Sequence, residues 1–250
     1  MSPLIVLVPG AFGTPDGFER LVPHLGGLQT HPGSYPSCNP DDPMSAECLK
    51  DVAKLRSTLL SLLGQGSNVV ILAHSYGGVV AGGAAAGLDN VSRQADGHSS
   101  AVVGLVYVAG NITLEGESLL EAVGGAYPPF IKSNKPSQGL ALIEPAMEIL
   151  YNDCEPDAEL DKFMRPHALR AFETKPPASA WKDEGFSGRR LYIRTVKDQC
   201  NPAILQDLWI EKSGVEWDVV SFETGHMPFV SQPKALAEQV RKFATKVTEL

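Results

Sequence analysis

The sequence lacks any apolar run approaching the roughly 18 residues that a membrane span needs. Its first apolar stretch, Leu4 to Val8, is too short for the core of a secretory signal and has no basic residues ahead of it. Cysteine is scarce and scattered: Cys38, Cys48, Cys154 and Cys200 form no CxxC pair and have no paired histidine, so neither a disulfide framework nor a zinc site is indicated. Basic residues are outnumbered, 21 Lys and Arg against 29 Asp and Glu, and the formal net charge of −8 argues against nucleic acid or an anionic membrane surface as partner. There is no repeat and no low-complexity tract. Without a secretory signal, the sequons at Asn90 and Asn111 read as accidental. What remains is 250 residues, enough for one α/β domain with a substantial core, expected in the cytoplasm as a monomer or homodimer.

The most informative stretch is Asn68 to Gly78, NVVILAHSYGG. Val69 to Leu72 are continuously apolar without alternation, the pattern of a strand buried on both faces of a parallel sheet. The chain then turns at Ala73 to Gly77 into VVAGGAAAGL, small and apolar enough for a helix packed close to that sheet. Strand, sharp turn and helix around Ser75 make a nucleophile elbow, which needs small residues two before and two after the serine; Ala73 and Gly77 supply them.

The remaining elements follow in order. Leu4 to Val8 is a second buried strand, and it empties into Pro9-Gly10-Ala11-Phe12-Gly13, which places a site at its C-terminal end. A helix is expected from Thr14 or Asp16 to Leu25, then a short strand over Leu28 to His31 followed by an irregular, proline-rich loop. Ser45 should cap an amphipathic helix with Leu49, Val52, Leu55, Leu59 and Leu62 or Leu63 inward and Lys50, Asp51, Lys54 and Arg56 on the other faces. A polar loop from Asp89 to Ser100 leads to a strand over Ala101 to Ala109. Strand and helix alternation of this kind is a doubly wound, mostly parallel α/β sheet. From Asn111 to Gly188 strand signals fade into short helical stretches (Ser118 to Val123, Gly139 to Tyr151, Asp157 to Phe163, His167 to Phe172), read as a helical cap inserted before the last two strands. Strand and helix alternation resumes with strands at Arg190 to Val196 and Glu216 to Phe222 and a closing helix from Pro233. The core is therefore 1–110 with 189–250, and the cap 111–188.

A serine hydroxyl is a weak nucleophile at neutral pH and needs a base within reach and a carboxylate orienting that base. Asp198 follows the strand ending near Val196, His226 follows the strand ending at Phe222, and the chain order Ser75, Asp198, His226 is that of the hydrolase elbow. Taken singly, Ser75 would be a turn residue, Asp198 a helix cap and His226 a surface or core histidine. Their coincidence at three strand ends favours the catalytic reading.

With LVPGAF, AHSYGG, Ile149 to Asp153, KDQCNP and TGHMPFVSQP, the chain resembles the α/β-hydrolase superfamily over essentially its whole length. It is most similar to the compact branch of plant methylesterases, hydroxynitrile lyases and hydrolase-like proteins of small-molecule pathways. The resemblance implies an α/β-hydrolase fold without cofactor or metal. It makes Ser75 the nucleophile, His226 the base and Asp198 its orienting acid, and it places the oxyanion hole at the backbone N–H groups of Ala11 and Tyr76. Two positions depart from that branch. Pro9 replaces a histidine that braces the oxyanion loop, and Met227 stands where the lyases carry a lysine, which disfavours cyanide chemistry. Phe12, Tyr76, Tyr127, Phe130, Leu150, Tyr151, Trp181, Met227 and Phe229 are candidates to wall an apolar pocket; Phe12, Tyr76 and Met227 adjoin the catalytic groups. The leading reading is a serine hydrolase acting on a small apolar ester, lactone or thioester through an acyl-enzyme. Its rivals are a non-hydrolytic biosynthetic enzyme on the same fold and a small-ligand binding protein without turnover.

Overall fold

In the computed structural model, which describes residues 2–157 and 159–250, the apolar runs form the middle of one sheet. The first part of the chain forms β1 (Leu4–Val8), β2 (Thr30–Pro32), α1 (Cys48–Gly64), β3 (Val69–His74), α2 (Gly77–Ala85), α3 (Asn90–Ala95) and β4 (Val102–Val108). The insertion holds α4 (Leu119–Ala122), β5 (Ile131–Ser133), β6 (Leu140–Ile143), α5 (Ala146–Leu150), β7 (His167–Ala168) and α6 (Arg170–Glu173). Then come β8 (Arg190–Thr195), α7 (Ala203–Ser213), β9 (Asp218–Phe222), α8 (Pro228–Ser231) and α9 (Pro233–Glu249).

The main sheet runs β2-β1-β3-β4-β8-β9 with every neighbouring pair parallel. Each residue of β3 and β4 is buried, because helices cover both faces of a parallel sheet; this is why these segments show no alternation. From β1 the chain steps outward to β2 and then returns to β3 on the other side. That reversal opens a crevice at the C-terminal ends of β1 and β3, where the glycine-rich loop and the elbow both emerge. No described helix is long and apolar enough to cross a membrane.

Several local expectations give way to tertiary context. Helix α1 starts at Cys48 with Glu47 at its N-cap, and the amide of Ser45 instead closes a turn onto Asp42 O. Its inward face carries Val52, Leu55, Leu59, Leu62 and Leu63 as expected, but Leu49 is 48% exposed and Asp51 is fully buried. Residues 14–25 make two short 3-10 turns, Pro15–Phe18 and Val22–His24, because Pro23 has no N–H to continue a helix. Within the supposed polar loop, Asp89 caps α3 by accepting from the amides of Val91 and Ser92.

The purely helical reading of 111–188 is corrected. This segment contains a three-stranded antiparallel sheet, β5-β6-β7, among short helices. Gly139 to Tyr151 divides into β6 and α5 at Pro145, and His167 to Phe172 into β7 and α6. Asp157 to Phe163 is turns rather than helix over its described residues; residue 158 lies outside them. Only α4 matches its expectation closely, with a reciprocal capping box between Ser118 and Glu121.

Candidate active site

Ser75 follows β3 at φ +50°, a left-handed conformation that a residue with a Cβ adopts only where its surroundings hold it. Those surroundings are backbone hydrogen bonds: Ser75 N–H donates to Val108 O (3.1 Å), and Ser75 O accepts from Gly78 N–H and Asn111 N–H, both at 2.9 Å. The need for small residues here comes from the neighbouring strand rather than from the turn itself. A Cβ on Gly77 would lie 2.5 Å from Pro9 O and 2.9 Å from Val8 O, and one on Gly10 would lie 2.7 Å from His74 Nδ1. Because the obstacle at Gly77 is backbone, Gly77→Ala is expected to destabilise the fold by about 1–3 kcal/mol, read as a lower urea midpoint. An unchanged midpoint would show that β1 can move aside freely.

Asp198 is buried and accepts four hydrogen bonds. Its Oδ1 takes the amides of Cys200 (2.8 Å) and Asn201 (2.7 Å), while Oδ2 takes the Thr195 hydroxyl (2.7 Å) and His226 Nδ1–H (2.7 Å). Asp198 thus holds the turn ahead of α7, whose own N-cap is Pro202, and also holds the His226 ring, mostly through different oxygens. With Nδ1 committed to Asp198, Nε2 carries the lone pair of the neutral imidazole, as a general base requires. Burial works to lower the His226 pKa, but the Asp198 carboxylate and, less strongly, Cys200 together outweigh it and hold the imidazole well above its ordinary value. His74, directly before Ser75, donates from Nε2 to the His226 carbonyl at 2.9 Å. Its own pKa is driven well below the usual range, first by burial and then by the nearby His226, so it remains neutral and serves as a prop.

Ser75 and His226 face one cavity of about 250 Å³. Ser75 Oγ makes no hydrogen bond with the described residues; such contacts are often long before substrate binds. Ala11 and Tyr76 border the same cavity, and neither amide has an acceptor among the described residues. Tyr76 is the N-cap residue of α2, whose dipole favours negative charge at that end.

A model of the alpha/beta hydrolase family matches residues 5–239. The chain belongs to the alpha/beta hydrolase family. The hydrolase is 25% identical over 257 residues to the alpha/beta hydrolase nvfD of Aspergillus novofumigatus, covering 100% of both chains. It is also 25% identical over 260 residues to a probable hydrolase, R7, of a Phoma species, covering 97% of this chain and 98% of that one. Among solved structures it shares its fold with a pyrethroid hydrolase from Sphingobium faniae JZ-2 (22% identity, TM-score 0.74, all of both chains). The fold is shared as well with the methylesterase MES16 of Arabidopsis (21% identity, TM-score 0.70, 97% of this chain and 99% of that one).

In the hydrolase, the expected pocket residues divide between three places. Phe12, Tyr76, Tyr127, Phe130, Leu150 and Met227 border the cavity that holds Ser75. Tyr151 and Phe229 instead line a smaller cavity on the far side of the Pro9 to Gly13 loop, next to His74. Trp181 is fully buried away from both, its carbonyl accepting from the Arg190 guanidinium. Sequence reasoning missed Asn111, Leu120, Ile143, Phe172 and Cys200, all on the cavity wall. Cys200 and Asn201 could have been found, since they directly follow Asp198. Phe172 could not, because it reaches the site only through the fold of the insertion.

Proposed function

We propose that this hydrolase cleaves a small, uncharged carboxylic ester, lactone or thioester through an acyl-enzyme. Ser75 Oγ attacks the carbonyl carbon while His226 Nε2 takes its proton, and the amides of Ala11 and Tyr76 receive the developing oxyanion. His226 then returns the proton to the leaving group, and a water activated by the same imidazole releases the acid. Asp198 keeps the imidazole in the required tautomer throughout. The observation that carries this reading is the buried His226 Nδ1–Asp198 Oδ2 hydrogen bond of 2.7 Å behind a cavity that His226 shares with Ser75.

The insertion 111–188 is proposed to act as a cap, since it supplies much of the cavity wall, including Leu119, Tyr127, Ile143 and Phe172. Among the described residues, no Lys, Arg, Asp or Glu lines that cavity, so a substrate carboxylate or ammonium bound there would lack an oppositely charged side chain. Neutral nitrophenyl esters are therefore expected to exceed dicarboxylic half-esters in kcat/KM by on the order of 10²-fold or more. Equal turnover of the two would remove the basis for a neutral substrate. The mechanism itself is tested by rapid mixing: an acyl burst followed by slower hydrolysis supports the acyl-enzyme, and its absence with slow steady turnover counts against it. A burst also separates this reading from non-hydrolytic chemistry on the same groups and from ligand binding without turnover.

A further inference from the structure

A second chain of buried polar side chains lies behind the oxyanion loop and takes no part in proton transfer. Asp51 on α1, Ser37 in the loop after β2, and His167 on β7 are all fully buried. The amide of Phe12 donates to His167 Nδ1 at 3.3 Å, so Nδ1 holds the lone pair and the ring proton sits on Nε2. Nε2–H then donates to Ser37 Oγ (3.1 Å), and Ser37 Oγ–H to Asp51 Oδ2 (2.5 Å). Asp51 Oδ1 accepts the Ser37 amide (2.9 Å), and the Tyr76 hydroxyl donates to Asp51 Oδ2 at 2.6 Å. Direction is imposed from both ends: an amide can only donate, and a carboxylate can only accept.

The two ends of this chain reach the proposed oxyanion hole, one at the residue after Ala11 and the other at Tyr76. Phe12 follows Ala11, and Tyr76 provides the other amide. Phe12 is held at φ +67°, and its carbonyl accepts from the Arg165 amide at 2.7 Å, so both of its backbone polar groups are tied to the segment that leads into β7. With the Phe12 N–H turned to His167, the unpartnered Ala11 N–H is the one left at the cavity. The Tyr35 hydroxyl adds contacts to Pro9 O (2.9 Å) and Gly10 O (2.8 Å). An imidazole therefore braces this loop even though Pro9 provides none; it comes from the insertion.

We propose that Asp51, Ser37 and His167 are positioning residues that hold both oxyanion-hole amides in register by linking the Phe12 amide and the Tyr76 hydroxyl to one buried carboxylate. The role rests on the esterase reading of Ser75. Burial alone lowers the His167 pKa to about 3, which keeps its ring neutral and Nδ1 free to accept.

Steady-state kinetics and fluorophosphonate labelling of Ser75 in His167→Phe, His167→Asn and Ser37→Ala test the proposal. His167→Phe keeps an aromatic ring against Phe172, which His167 stacks on at 4.9 Å between centroids, but removes the acceptor. It is expected to lower kcat by on the order of 10²-fold, since misplacing a donor acts on the transition state, with KM close to wild type and labelling slowed in parallel. His167→Asn, which restores an acceptor near the Nδ1 position, should recover part of kcat, and Ser37→Ala should fall between. A folded His167→Phe enzyme with wild-type kcat, or a loss confined to KM, would overturn the positioning role alone. A wild-type enzyme that neither labels nor turns over esters would overturn the esterase reading, and this role with it. Independently of activity, ¹⁵N spectra of the wild-type imidazoles should show His167 as the neutral Nε2–H tautomer without titration across the neutral range. An Nδ1–H tautomer or a charged ring would sink the proposal even if the variants fail to fold.

Discussion

Replacing Ser75 with alanine is expected to lower ester turnover by roughly 10⁴–10⁶-fold and to abolish covalent capture by a fluorophosphonate. The size follows from how the groups act: without Oγ there is no acyl-enzyme, and the remaining amides and cavity only bind and polarise the carbonyl. Stability should change by no more than about 1 kcal/mol, because the left-handed turn at φ +50° is held by backbone hydrogen bonds that alanine keeps. Mass spectrometry of the intact protein after labelling, alongside a thermal melt, reads both halves. A persistent adduct in a folded Ser75→Ala protein would mean that another group, such as Cys200 on the same cavity wall, performs the attack.

Asp198→Asn is expected to cost about 10⁴ in kcat while leaving the fold in place. The aspartate orients His226 through Nδ1 and offsets the positive charge that forms when Nε2 accepts the serine proton. An asparagine could also turn its NH₂ toward the ring and stabilise the wrong tautomer. The pH dependence has a definite sign. Burial opposes a charged imidazole, but the Asp198 carboxylate, with a smaller contribution from Cys200, overrides it and raises the His226 pKa, and a general base works only when deprotonated. In the wild type, kcat/KM should therefore rise with pH along a limb centred above the ordinary histidine value. In Asp198→Asn the His226 titration, followed by NMR of the ring, should move to lower pH, because the largest charge opposing desolvation is gone and only the smaller effect of Cys200 remains. A His226 midpoint that is the same in both proteins would show that Asp198 does not govern the base.

The candidate catalytic groups were legible because each lies within four residues of a strand's end, and the central strands declare themselves by continuous apolar runs. Val69 to Leu72 and Ala101 to Ala109 read correctly for this reason, and the ends of β3, β8 and β9 carried Ser75, Asp198 and His226 to one edge of the sheet. Asp51 was misplaced for the complementary reason. Helical periodicity registers apolar residues only, so a carboxylate on an inward face looks like a solvent residue unless its partners are known. Those partners, Ser37, Tyr76 and, through Ser37, His167, come from other elements.

The insertion shows the same limit. Its strands are two to four residues long and pair antiparallel within a segment interrupted by prolines, so neither a period of two nor a period of 3.6 has room to appear. Trp181 was a candidate wall residue and Phe172 was not, yet the first packs in the core and the second lines the cavity that holds Ser75. Local sequence by itself determined the buried strands, the elbow and the order of the three candidate catalytic groups, because strand burial and turn sterics act over a few neighbouring residues. Only the tertiary structure decided which side chains wall the cavity and which imidazole holds the loop after β1. Those contacts join positions as distant as Phe12 and His167, 155 residues apart, and exist only once the sheet and insertion have packed.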